Sequence, residues 1–143
     1  MVRIALDAMG GDRAPQVTVE GAVGAAREFG CQITLVGDKV CIEKELRKYD
    51  IKGLTVSICH TDEVIAMSER PVEACRTKKK ATIMEAMRLT AEGKADAVVS
   101  AGNSGAAMTS ALLYLRRLSG VSRPAIATVL PTLTGSCLLL DVG

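Results

Sequence analysis

The segment Ser100-Ala101-Gly102-Asn103-Ser104-Gly105-Ala106 contains only small residues. It joins an apolar run to a stretch of helical character, so its backbone amides lie open at the start of a helix. Those first N–H groups have no partner within the helix, and the helix dipole favours negative charge beside them. Gly102, Asn103, Ser104 and Gly105 are therefore a candidate phosphate cradle, with Asn103 the only Asn in the chain. The competing reading is a tight turn whose Asn or Ser merely caps the helix. A second candidate is Asp7-Ala8-Met9-Gly10-Gly11-Asp12, at the carboxyl end of an expected strand, where open α/β sheets place ligands. Gly10 and Gly11 permit close backbone approach beside Asp12, although a structural turn explains the same residues. The third is the cationic group Arg76, Lys78, Lys79 and Lys80, suited to an anion or an acidic partner. It reads equally as a solvated face, as do Arg116, Arg117 and Arg123.

Other chemistries fit poorly. The glycines form neither the G-x-G-x-x-G dinucleotide fingerprint nor a P-loop, because no Gly-Lys-Ser/Thr follows. Gly102-Asn103-Ser104-Gly105 misses the G-x-S-x-G nucleophile elbow by one position, and no His follows it. His60 is the lone histidine and adjoins Cys59, so in an extended strand the two side chains take opposite faces. The scattered His, Cys and acidic residues suggest no metal cage. A net charge of +2 and only three aromatic residues, Phe29, Tyr49 and Tyr114, argue against nucleic acid. Five cysteines without a C-x-x-C pair fit a reducing cytoplasm. No apolar run reaches the ~18 residues of a membrane span.

Short apolar runs alternate with helical stretches, the pattern of a mostly parallel sheet with crossover helices. Strands are expected at residues 2–6, 33–36, 54–59 and 97–100, the last of them buried. A first helix carries Pro15 at its first position, a buried stripe of Val19, Ala22, Val23 and Ala26, and Gly30 at its end. A second turns Ile42, Leu46 and Tyr49 inward and pairs Glu43 with Arg47 on its outer face. Residues 60–80 lack a clean period and read as a long loop with at most a short helix. Met84, Met87 and Ala91 mark a helix closed by Gly93. Another buries Met108, Ala111, Leu112 and Leu115, with Gly120 beyond its end. Residues 125–130 and 137–142 are expected to pair as a hairpin. The last of these strands is apolar with nothing following to cap it, so residues 1–143 are expected to be the amino-terminal part of a single α/β domain, its remainder lying beyond.

Several ordered motifs together carry a resemblance. They are Ala5-Leu6-Asp7-Ala8-Met9-Gly10-Gly11-Asp12, Arg76 with Lys78, residues 95–106, Arg123-Pro124-Ala125-Ile126-Ala127, and Leu140-Asp141-Val142-Gly143. The chain resembles the acyl carrier protein-dependent phosphate acyltransferases of bacterial phospholipid synthesis. Two positions depart from that family's habit: Ser104 stands where Thr is common, and Ala81-Thr82 lies where two serines are usual. The resemblance implies a Rossmann-like three-layer α/β/α sandwich, related to the phosphotransacetylase and isopropylmalate dehydrogenase folds. It further implies a cytoplasmic homodimer working near the inner face of the membrane, without metal or nicotinamide. That enzyme would transfer a fatty acyl group from acyl carrier protein to inorganic phosphate. The acyl phosphate would pass to a membrane glycerol-3-phosphate acyltransferase.

On this reading Lys78 and Asn103 are the expected catalytic residues. Gly10, Gly11, Asp12, Arg76, Gly102, Ser104, Gly105 and Asp141 are expected to bind phosphate or substrate, with Arg76 or Lys78 screening its charge and Asp7, Asp12 and Asp141 ordering the surrounding loops. Phosphate is itself nucleophilic, so attack on a thioester asks for positioning and charge stabilisation rather than a covalent enzyme intermediate. The rival readings are a nicotinamide-dependent dehydrogenase on a related fold, which lacks its fingerprint here, and a non-catalytic module binding carrier protein or phosphate.

Overall fold

The computed structural model describes residues 1–142. Four strands, β1 (Arg3–Asp7), β2 (Gln32–Gly37), β3 (Val56–His60) and β4 (Ala97–Val99), form one parallel sheet in the order β3-β2-β1-β4. Ile4 stands opposite both Ile33 and Ala97, and Ile33 opposite Val56. Side chains alternate across such a sheet, and here helices lie on both faces of β1 and β2. Leu6, Ile33 and Leu35 pack against α1 (Gln16–Phe29) and α2 (Lys39–Leu46). Ala5, Val36 and Val98 face Ala86 and Leu89 of α4 (Thr82–Ala91). The expected α/β fold with a mostly parallel sheet flanked by helices is what forms.

Helix α1 has no side-chain cap at Pro15, so its place depends on packing. Val19, Ala22, Val23 and Ala26 are all buried, and the two valines alone contribute roughly 1.5–3 kcal/mol each by leaving water. Gly30 ends the helix in the left-handed conformation at φ 62°, donating its N–H to the Ala26 carbonyl. The stretch 60–80 is indeed a long connection with one short helix, α3 (Pro71–Thr77). Residues 127–140 form the expected hairpin, shifted by about two positions: β5 (Ala127–Thr132) pairs antiparallel with β6 (Gly135–Leu140).

Several expectations change. Strand β4 is not buried: it pairs only with β1, and Val99 is 48% exposed at the sheet's edge. In α5 (Ser104–Tyr114) the inward residues are Ala106 and Ser110, with Ala107, Ala111 and Tyr114 beside them, whereas Met108 and Leu115 are exposed. That helix is apolar nearly all round, so its sequence shows no stripe to set its rotation. Its small residues settle the matter by allowing close approach to α3 and α4. Ala91 is exposed at the last turn of α4, where Ile83, Met84, Ala86 and Met87 fill the core. Glu43 pairs with Lys39 at 3.8 Å, one turn before it, rather than with Arg47, which already caps the helix end. Tyr49 lies beyond α2 yet still packs on the same core.

Candidate functional site

From β1 the chain moves through β2 to β3 on one side of the sheet, then returns to place β4 on the other side of β1. The carboxyl ends of β1 and β4 therefore flank a topological switch point, where open α/β sheets form a ligand crevice. The two glycine-containing turns that stood far apart in the sequence meet here.

Their contact is close. A Cβ on Gly10 would lie 2.5 Å from Asp7 Oδ2 and 3.0 Å from the Gly102 nitrogen, so only glycine fits. Gly11 has φ +105°, and a side chain there would press on the Ala101 carbonyl. Beneath them Asp7 is 3% exposed. The Ser100 hydroxyl donates to Asp7 Oδ2 at 2.8 Å and accepts from the Gly102 amide at 3.0 Å. Asp7 Oδ1 is buried with no hydrogen-bond partner among the described residues, a state that costs about 1–3 kcal/mol when a polar atom is so placed.

Asn103 caps α5, its side-chain oxygen accepting from the Ala106 amide at 3.0 Å. Its Nδ2 donates to the carbonyls of Met67 and Glu69 at 3.2 and 3.1 Å, and more distantly to that of Ala66. The Ser104 and Gly105 amides, ahead of the first intrahelical bonds, make no hydrogen bond among the described residues. Gly105 also lets α5 approach α3, since a Cβ would fall 2.5 Å from Pro71 Cγ.

A cleft of about 420 Å³ runs along α5. Ser100, Gly102 and Ser104 line it, with Met108 and Ile126 further along and Arg116 also in its wall. A smaller recess of about 100 Å³ adjoins it, where Asp141 joins Ser104 and Gly105. Asp141 has φ 61°, and its amide donates to the Ile126 carbonyl at 2.7 Å. The helix N-terminus is equivalent to roughly half a positive charge. This wall thus offers free amides, a hydroxyl and a positive dipole end.

Of the expected site residues, Gly10, Gly11, Gly102, Ser104, Gly105 and Asp141 gather at the switch point. The Gly102 amide differs from its neighbours in being already bonded to Ser100. Asp12 is exposed and lines neither cavity. Arg76 is exposed on α3 and lines neither cavity. Lys78 is partly buried and donates to Glu69 Oε1 at 2.7 Å and the Val64 carbonyl at 2.8 Å. Its ammonium, with help from the Ala66 amide, holds the Glu69 carboxyl below the usual range. Lys78 and Asn103 thus both fasten the segment 63–70 beside the turn. Residues that the sequence reading left outside the site are Ser100 and Arg116. Only the β1–β4 pairing shows that Ser100 faces Asp7.

Cys59 and His60 do point apart. The thiol donates to Glu85 at 3.6 Å and is pushed up in pKa by burial and then by that carboxylate, whereas His60 Nδ1 accepts from the Lys39 amide. Among the described residues no helix is long and apolar enough to cross a membrane.

Fold and site together define an α/β protein with a crevice at its switch point, bordered by two glycine-containing turns. The comparison with known families is consistent with that class: residues 2–143 match the model of the family described as "Fatty acid synthesis protein", and the chain belongs to it. It is 54% identical over 142 residues to the phosphate acyltransferase of Geobacter sulfurreducens, covering 99% of this chain and 41% of the relative. It is 54% identical to that of Desulforamulus reducens, covering 100% and 43%. With the Endomicrobium trichonymphae phosphate acyltransferase the identity is 52%, over 98% and 43%. The resemblance to phosphate acyltransferases is therefore borne out. The chain spans about two fifths of the length of these relatives.

Proposed function

We propose that the longer protein to which these residues correspond transfers a fatty acyl group from acyl carrier protein to inorganic phosphate. The observation that carries this reading is the pair of unbonded amides of Ser104 and Gly105 at the switch point, beside the Ser104 hydroxyl. The names of the relatives support it.

In this reading phosphate rests on those amides and on Ser104, its charge favoured by the α5 dipole. Fixed donors of this kind serve in place of water at the anion and need no rearrangement during attack. Gly10 and Gly11 back the turn from the β1 side, packing on Gly102 and Ala101, and Asp141 bounds the recess. Asn103 and Lys78 contribute by holding segment 63–70 against the turn, so their effect on rate comes through the geometry of the amides. Arg76, on the surface, is assigned to the approach of substrate, and Asp12, also exposed, to the order of the loop around it. An oxygen of the bound hydrogen phosphate attacks the thioester carbonyl and the C–S bond breaks. The carrier thiolate leaves and takes the proton that phosphate gives up, giving acyl phosphate and the free carrier thiol.

The exposed Arg116, Arg117 and Arg123 suit an acidic carrier protein, whose encounter should weaken with salt. A cytoplasmic homodimer at the membrane's inner face, feeding a glycerol-3-phosphate acyltransferase, completes the reading. The test mixes full-length protein, acyl carrier thioester and phosphate and seeks acyl phosphate by mass spectrometry. Its formation only when all three are present is expected. Thioester left intact, or hydrolysed to free acid alone, would refute the proposal.

A further inference from the structure

We propose that Asp7 is a positioning residue for the phosphate site, acting through the Ser100 hydroxyl to set the turn that presents the Ser104 and Gly105 amides. The inference rests on the acyltransferase reading and assigns the inner support of the same site.

Asp7 ends β1 and Ser100 directly follows β4, 93 residues later in the chain, and their hydrogen bond at 2.8 Å joins the two turns across the switch point. Ser100 has one proton to donate, and Asp7 takes it. Its oxygen then accepts from the Gly102 amide at 3.0 Å, so the hydroxyl is engaged in both directions. Three consequences follow. Ser100 lines the cleft but has no donor left for an anion, which leaves that role to the Ser104 hydroxyl. The Gly102 N–H is turned inward, fixing the Ala101–Gly102 peptide just before Asn103. The orientation of that peptide in turn sets where the free amides of Ser104 and Gly105 point.

The surroundings are shaped around this carboxylate. Gly10 and Gly102 both approach it where a Cβ would lie 2.5 and 3.4 Å from Oδ2, so the two turns close over Asp7. Oδ1 stays buried and unpartnered. A fold gains nothing from an unpaired buried carboxylate oxygen, and such groups gather where function requires them. A role limited to holding two strands together is already filled at the other end of β1, where Arg3 pairs with Asp96 at 2.6 Å.

The test uses the full-length protein with inorganic phosphate and acyl carrier thioester, and compares Asp7→Ala, Ser100→Ala and the double variant. Loss of the relay misplaces the amides, so the phosphate KM is expected to rise on the order of tenfold to a hundredfold, with the KM for the acyl donor unchanged. Because both residues act through one hydroxyl, the double variant should be no worse than the more affected single one. Ser100→Thr, which keeps the hydroxyl, should restore phosphate KM toward the wild-type value. Ser100→Ala leaves the carboxylate in place and covers the case in which Asp7→Ala does not fold. An unchanged phosphate KM in Ser100→Ala, equal rises for both substrates, or additive effects would overturn the inference while leaving the acyltransferase reading intact. A wild-type protein that forms no acyl phosphate would overturn that reading, and this inference with it.

Discussion

Replacing Asn103 by Ala and by Ser separates its two structural roles. The alanine removes the α5 cap to the Ala106 amide, which contributes about 0.5–2 kcal/mol at such positions. It also removes the Nδ2 donor. Three carbonyls, of Ala66, Met67 and Glu69, surround a group with only two N–H bonds, so at most two full hydrogen bonds are lost, at about 0.5–1.5 kcal/mol each. Ala66 and Met67 are exposed and their carbonyls regain water, which places the expected total at about 2–3 kcal/mol. The serine keeps an oxygen for the Ala106 amide and lacks only the Nδ2 donor, so it should cost about 1–2 kcal/mol. Denaturant unfolding of both variants gives the totals, and amide hydrogen exchange of residues 66–69 reports the loop. Loop protection should fall in both variants, whereas the first turn of α5 should loosen only in Asn103→Ala. Equal losses in the two variants, or a change below about 0.5 kcal/mol for alanine, would refute the assignment.

Ser104→Ala touches an exposed residue that is not the cap, so stability should stay within about 0.5 kcal/mol. The loss of a hydrogen bond to a charged ligand should nevertheless weaken phosphate by about tenfold or more, as read by calorimetric titration. Gly105→Ala drives a methyl group against Pro71, at an overpacking cost of about 1–3 kcal/mol that exceeds the gain in helix propensity. The double change with Pro71→Ala should recover part of the unfolding midpoint. For pH, the hydrogen bonds from Arg3 lower the Asp96 carboxyl from 3.8 to about 2. A depressed folded-state value means that this pair's contribution is complete above 3.8 and disappears as the pH falls through about 2. Wild type should therefore lose more stability than Asp96→Asn across that window, and identical acid profiles would show the pair to be without effect.

The layered architecture was legible because α1 carries a clear stripe and Gly30 and Gly93 mark the ends of their helices. The hairpin announced itself through its apolar flanks. What the sequence concealed was rotation and neighbourhood. Helix α5 is apolar on nearly every side, so nothing in its spacing tells that Ala106 and Ser110 face inward rather than Met108 and Leu115. Strand β4 looks buried by composition, and only its place at the sheet's edge reveals its exposure. Each glycine turn was visible alone. Their meeting depends on β1 pairing with β4 across more than ninety residues, a long-range fact that no local pattern encodes. The same distance explains why the Ser100–Asp7 bond went unread, and why Lys78 resembled a free cation although Glu69 neutralises it.

The most direct measurement is a crystal structure of the full-length protein grown with inorganic phosphate. The account predicts the anion within hydrogen-bond distance of the Ser104 and Gly105 amides and the Ser104 hydroxyl, with the Ser100–Asp7 bond preserved beneath it. Phosphate ordered on the exposed loop of Arg116 and Arg117, leaving the amides of the α5 turn without a ligand, would contradict it.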